Sequence, residues 1–173
     1  KTAMRPLRKV LKSEFRKGQT TGRFIDFISR ETGLKKFMAS QVAKIFLRNT
    51  VMRLNDAAAA HLVSLLPEKW QDEMAELPAG PNRRINASTI INEIIEFLEI
   101  GKDEVRDVII NLCHAFDELL GHDELIYIAK LLPRDMQILI FGADLTSPHA
   151  RGKELPTRNL KCNLETEKKQ PDY

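Results

Sequence analysis

The sequence is poor in cysteine and in aromatic residues and has no long apolar run, and these deficits exclude several classes of protein. Two cysteines in 173 residues are too few for the disulfide framework of a small secreted domain. The longest stretch without a charged side chain, residues 57–67, is shorter than the roughly 18 apolar residues that a membrane span needs. The sequence therefore predicts a protein of a reducing compartment, the cytoplasm, with no transmembrane segment.

Recognisable catalytic motifs are also missing. There is no glycine-rich phosphate loop, no nucleophile-elbow serine, no CxxC pair and no HExxH motif. Cys113 and His114 are neighbours in sequence, but adjacent residues of a helix point about 100° apart and do not face each other as a nucleophile and its base would. Cys162 has no residue nearby that resembles a general base. We therefore expect a protein that is not an enzyme and that uses no cofactor.

One polar cluster contains the residue types that bind metal ions. His114 and Glu118 are four residues apart, which places an imidazole and a carboxylate on one face of a helix. His122 follows four residues later, beyond Gly121, where we expect the helix to break. His114, Glu118 and His122 are therefore candidate ligands of a metal-dependent enzyme. A solvated helix end explains the same residues and is the interpretation we favour.

The sequence does contain an internal repeat. The tripeptide Leu-Leu-Pro at residues 65–67 recurs 66 residues later, at residues 131–133. His61 corresponds to Tyr127, and both adjoin apolar residues, which favours a packing role for each. Polar residues mostly differ between the copies, so the repeat describes a core rather than a binding site. At the same offset, three apolar residues have identical counterparts: Ile28 and Ile94, Val42 and Val108, Leu54 and Leu120.

Apolar residues within each copy are spaced for four helices. Residues 24–28 carry apolar side chains at positions i, i+3 and i+4, and Gly33 then marks a helix end. Asn55 or Asp56 is placed to cap the third helix, because a side-chain oxygen there accepts free backbone N–H groups. Pro67 fits the first turn of the fourth helix. The sequence predicts an all-α protein of two tandem four-helix repeats packed as a helical bundle: repeat one at residues 24–78, a linker at 79–84 and repeat two at 85–142.

The two ends of the chain differ from this core and from each other. Residues 1–23 hold eight basic residues and one acidic residue, a net charge of +7 within a total of +3. Their apolar side chains fall at helical spacing among the charges, which predicts a basic amphipathic arm. Residues 143–173 are polar and aperiodic and predict an extended tail. The candidate partner-binding residues of the arm are Arg5, Leu7, Arg8, Lys9, Leu11, Lys12, Phe15, Arg16 and Lys17.

The arm and the tail suggest a role in binding partners. We expect a non-catalytic protein–protein interaction module, an accessory or structural subunit of a larger assembly that holds its partners with both ends. The alternative is a peripheral protein that docks to an anionic membrane surface or to nucleic acid through residues 1–23. Nucleic acid is the less favoured partner, because Phe15 is the only aromatic residue among these charges and the core is acidic. The arm could also fold back onto its own bundle.

The repeated motifs resemble a bacterial family catalogued as domain of unknown function 2267. The resemblance covers roughly residues 20–142 and neither end. It implies a small all-helical module, usually in two copies, with no established activity and no known catalytic residues. The matching stretches are residues 24–34, residues 54–58 with Ala60, Leu62 and residues 65–67, and residues 120–124 leading to Pro133.

Overall fold

The computed structural model describes residues 21–142, and this segment is all-α, with eight helices and no strand. The arm residues up to position 20 and the tail from residue 143 lie outside the described residues. Residues 21–23, which the sequence analysis assigned to the arm, belong to the first helix. The helices are α1 (Thr21–Thr32), α2 (Lys36–Arg53), α3 (Asp56–Ser64), α4 (Glu68–Ala75), α5 (Ala87–Leu98), α6 (Lys102–Leu120), α7 (His122–Lys130) and α8 (Arg134–Phe141).

The first helix and the turn after it follow the predicted pattern. Phe24 and Ile28 are the buried residues of α1, one turn apart on the face that packs inward. The helix ends at Gly33, whose φ of 74° lies in the left-handed region that glycine adopts at little cost. The turn that follows is held by Ser29, whose hydroxyl donates a 2.6 Å hydrogen bond to the carbonyl oxygen of Leu34.

Two of the later helices, α3 and α5, begin at side-chain caps. The Asn55 side chain accepts a 2.9 Å hydrogen bond from the backbone N–H of Ala58, so Asn55 rather than Asp56 caps α3. Pro67 occupies the N-cap position of α4, one residue earlier than expected. Asn86 and Thr89 form a reciprocal capping box at the start of α5, a feature that the sequence analysis did not identify.

The helices enclose one continuous hydrophobic core. Helix α1 packs against α2 and α6, and helix α5 packs against α6 and α2. Phe24 meets Trp70 edge-on with ring centroids 5.0 Å apart, and Phe46 meets Phe116 across α2 and α6 at 5.6 Å. Trp70 is 1% exposed. Because the core residues come from both halves of the sequence, neither half buries its apolar face alone.

The linker between α4 and α5 is packed onto the end of α2. The backbone N–H of Asn82 donates a 2.7 Å hydrogen bond to the carbonyl oxygen of Met52. At Gly80, a Cβ atom would lie 2.6 Å from that same oxygen and 2.7 Å from the carbonyl oxygen of Leu54. Only a residue without a side chain fits this close backbone approach.

Candidate functional site

The three candidate metal ligands do not converge. His114 places its Nδ1 3.6 Å from Oε2 of Glu31 on α1, and His122 places its Nδ1 2.6 Å from Oδ1 of Asp117. Glu118 is exposed at the surface of α6. Across residues 21–142, no group of three or more histidine, cysteine, aspartate or glutamate side chains is placed to hold a metal ion.

Cys113 and His114 point to different environments, as the helical geometry predicts. Cys113 is buried, and its Sγ lies 4.0 Å from the carbonyl oxygen of Leu139. The His114 side chain is more than half exposed. The thiol therefore packs in the core and does not face the neighbouring imidazole.

A contact between α3 and α7 joins the two halves of the chain at the surface. His61 places its Nε2 2.5 Å from Oε2 of Glu124, and its ring meets that of Tyr127 edge-on at 5.4 Å. His61 therefore packs against Tyr127 and also contacts a polar partner, Glu124. Glu124 lies 63 residues away in sequence, so no local spacing could have identified it.

A second polar contact joins α2 to α5. Oε2 of Glu93 accepts a 3.0 Å hydrogen bond from Arg48 and a 3.2 Å hydrogen bond from Nδ2 of Asn49. Asn49 is buried and also donates to the carbonyl oxygen of Ile45 at 2.9 Å. The buried amide of Asn49 therefore bonds to its own helix through Ile45 and links α2 to α5 through Glu93.

Charge is divided between the two helical hairpins. Residues 21–53, which form α1 and α2, hold seven basic and two acidic side chains. Residues 87–120, which form α5 and α6, hold two basic and eight acidic side chains. Six of these acids are exposed and make no ion pair with any described residue: Glu96, Glu99, Asp103, Glu104, Asp107 and Glu118.

The start of α2 exposes two apolar side chains beside two lysines. Phe37 is 68% exposed and Met38 is 38% exposed, whereas most apolar residues further along α2 are buried. Lys35 precedes the helix, and Lys36 pairs with Asp26 at 2.9 Å. The exposure of these two side chains was not predicted from the sequence. The available signal was that Phe37 lies off the helical stripe of Val42, Ile45 and Phe46, whereas Met38, four residues before Val42, lies on it and gave no signal.

An open groove of about 480 Å³ runs between α2 and α4. Its cationic groups already have partners within the protein. Lys44 contacts Glu73 at 2.8 Å and lies 5.8 Å from the ring of Trp70, and Arg48 contacts Glu93. Because these charges are paired, the groove offers a ligand no free cation from Lys44 or Arg48.

The predicted partner-binding residues, from Arg5 to Lys17, all lie outside the described residues. None of the described helices is long and apolar enough to span a membrane.

A family model described as uncharacterized conserved protein (DUF2267) matches residues 21–139. The chain belongs to this family. The resemblance inferred from the Leu-Leu-Pro repeat is thereby confirmed, and the DUF2267 match takes in α1 to α7 and most of α8. Residues 1–20 and 140–173 lie outside the DUF2267 match. Comparisons with curated proteins and with solved structures found no match.

Proposed function

We propose that this protein is a non-catalytic interaction module, an accessory or structural subunit that holds protein partners through its basic arm and its tail. The observation that carries the proposal is the segregation of charge along the chain. Residues 1–53 hold 14 basic and three acidic side chains, a net charge of +11, whereas residues 85–142 have a net charge of −7. The charge of this near-neutral protein is therefore divided along the chain, and in the described residues the α1–α2 segment is basic and the α5–α6 segment is acidic.

Charged surfaces of this kind favour association with partners of complementary charge. They raise the rate of encounter and disfavour partners of like charge, and both effects weaken as salt screens the charges. Exposed apolar side chains on α2, α7 and α8 add contact area that a partner could bury. We therefore expect attraction between charges to speed the encounter with a partner, and we expect binding to weaken as the ionic strength rises.

Affinity capture from the native host tests this proposal. The tagged chain should retain the same partners in repeated captures, and a variant with six arm residues changed to Gln should lose them. Those residues are Arg5, Arg8, Lys9, Lys12, Arg16 and Lys17. The matched control, Arg5→Lys with Arg8→Lys and Arg16→Lys, keeps the charge and should keep the partners. Capture of no constant partner, or equal capture by all three proteins, would contradict the proposal.

A second candidate function is peripheral attachment to an anionic membrane or to nucleic acid through the arm. It is favoured by the continuity of the basic arm with α1 and α2, whose charge has the same sign. A chain lacking residues 1–20 should lose retention on anionic vesicles or DNA at low salt. Retention that survives this deletion would eliminate the candidate.

We also propose that the eight helices are two tandem copies of one four-helix unit. Helix lengths support this, at 12, 18, 9 and 8 residues in α1–α4 and 12, 19, 9 and 8 residues in α5–α8. The packing is reciprocal as well, because the first helix of each unit contacts the second helix of the other. His61 and Tyr127, which correspond at the offset of 66, contact each other, as residues near a two-fold axis would.

A further inference from the structure

We infer that the turn between α1 and α2 is a membrane contact, at which Phe37 and Met38 insert into an anionic lipid surface while Lys35 approaches the lipid phosphates. This inference rests on the second candidate function above. It adds a site in the folded part of the chain, distinct from the arm.

The exposure of Phe37 is the first observation. Phe37 has the largest exposed fraction among the large apolar residues that the structure describes, and Met38 beside it is also exposed. From Ala39 onward most of the apolar side chains of α2 are buried, including Val42 and Phe46. An aromatic ring and a thioether that the protein itself leaves uncovered are the side chains that gain most from entering an acyl-chain boundary.

The positive charge around this pair is the second observation. Lys35 occupies the N-cap position and Lys36 the first helical position, where the helix dipole is also positive. Helix α2 has no acidic residue in its first turn and no side-chain cap. Helix α1 also lacks an acid in its first turn, whereas α3, α4, α6, α7 and α8 each carry one there and Asn86 caps α5. Asp26 pairs with Lys36, whereas Lys35 has no acidic partner among the described ion pairs, so Lys35 and the positive end of the α2 dipole are available to lipid phosphates.

The turn presents these side chains from a fixed backbone. The N–H of Gly33 donates to the carbonyl oxygen of Ser29 at 2.9 Å, and the Ser29 hydroxyl donates to the carbonyl oxygen of Leu34 at 2.6 Å. Lys36 is held by Asp26 at 2.9 Å. A turn that is already ordered loses little conformational freedom when it binds, which strengthens a small contact.

The distribution of charge favours a lipid surface with a defined orientation. The arm and the hairpin of α1 and α2 are basic and would face the bilayer, whereas the acidic hairpin of α5 and α6 would be repelled from it. A Phe–Met pair is a poor platform for single-stranded nucleic acid, which needs aromatic faces for successive bases. The observations therefore favour an anionic bilayer.

Quenching by brominated lipids tests the insertion directly in the full chain. The native Trp70 is buried, so a Phe37→Trp variant adds a fluorophore at the proposed contact. With vesicles of phosphatidylcholine and brominated phosphatidylglycerol, we expect the emission of this variant to be quenched. We expect no quenching with brominated phosphatidylcholine alone. The matched control, Ile138→Trp at an exposed position of α8, should stay unquenched.

Vesicle co-sedimentation measures the contribution of each side chain. Phe37→Ser should lower the partition onto anionic vesicles by about tenfold or more, and Lys35→Gln by about fivefold. Ile138→Ser should leave it unchanged, and circular dichroism should show equal helicity for all variants, because these side chains are exposed.

The possible outcomes separate this inference from the function on which it rests. Binding that depends on the arm but is indifferent to Phe37→Ser, without quenching at position 37, would overturn the inference and leave arm-driven attachment intact. Failure of the native chain to bind anionic vesicles would overturn both. Binding to DNA or to an acidic protein alone, with no affinity for vesicles, would also overturn the inference.

Discussion

Two residues hold turns of the chain in place: Asn55 caps α3, and Gly80 lets the linker approach the end of α2. Asn55 or Asp56 was the predicted cap of α3, because a cap and the N–H group that it binds are three residues apart, and the cap is Asn55. Gly80 was identified only as part of a linker. The need for glycine there comes from the carbonyl oxygens of Met52 and Leu54, which leave no room for a side chain. Backbone contacts between segments distant in sequence leave no local pattern.

The close approach at Gly80 gives a stability prediction. A methyl group at this position would collide with two backbone oxygens that cannot move without disturbing the end of α2. We expect Gly80→Ala to lower the free energy of unfolding by about 1–3 kcal/mol, as overpacking does elsewhere. Urea denaturation measures this change.

The matched control for this substitution is Gly101→Ala. A Cβ atom at Gly101 has no neighbour within 4 Å and the backbone there is extended, so the loss should be only about 0.5 kcal/mol, the difference between glycine and alanine as an N-cap. Equal effects of the two substitutions would contradict the steric explanation of the linker.

At the scale of helices, the positions of the elements follow from the spacing of apolar residues, but their contacts do not. The helical stripes predicted α1, the break at Gly33 and the break at Gly121, because each depends on residues close in sequence. The pairing of α1 with α6 and of α2 with α5 depends on which faces meet in the folded chain. The spacing of residues in one segment contains no information on that choice.

The contact of Asn49 and Arg48 with Glu93 gives a prediction for the pairing of α2 with α5. Glu93→Ala should remove a hydrogen bond from the buried Asn49 and cost about 1 kcal/mol in the free energy of unfolding. The ion pair between Arg48 and Glu93 is partly exposed, so its loss should add little to this cost in the free energy of unfolding. The matched control, Glu96→Ala, lies exposed on the same helix and should change stability by less than about 0.5 kcal/mol.

A double-mutant cycle with Asn49→Ala isolates this hydrogen bond. If Asn49 and Glu93 interact as described, the two substitutions should together cost less than the sum of their separate costs. Additive effects would show that the contact does not couple the two helices.

At the scale of the whole molecule, the single core joins the halves of the chain. Helix α1 buries its apolar face partly against α6, and helix α5 partly against α2. The all-α class was predictable because the helical period recurs throughout the sequence. The packing of each half's first helix against the other half's second helix was not predictable, because it depends on contacts between residues far apart in sequence. The charged arm was recognisable from composition, whereas Phe37 became notable only once its exposure was known.

This shared core predicts the behaviour of fragments. Residues 1–84 and 85–173, produced separately, should each show little cooperative unfolding, because each lacks the helices that cover its apolar faces. Mixed together, they should recover helicity and a single cooperative transition in circular dichroism. Two fragments that fold independently, with no gain on mixing, would contradict a single shared core.

The central claim, that this protein works by holding partners through electrostatic contacts, is tested most directly by the molar mass of the chain purified from its native host. Size-exclusion chromatography with light scattering at low salt should give a mass above that of a single chain, with a constant second component. The complex should dissociate at high salt, because screening weakens contacts between charged surfaces. A chain that elutes alone, at the mass of one copy, at low salt would contradict the claim.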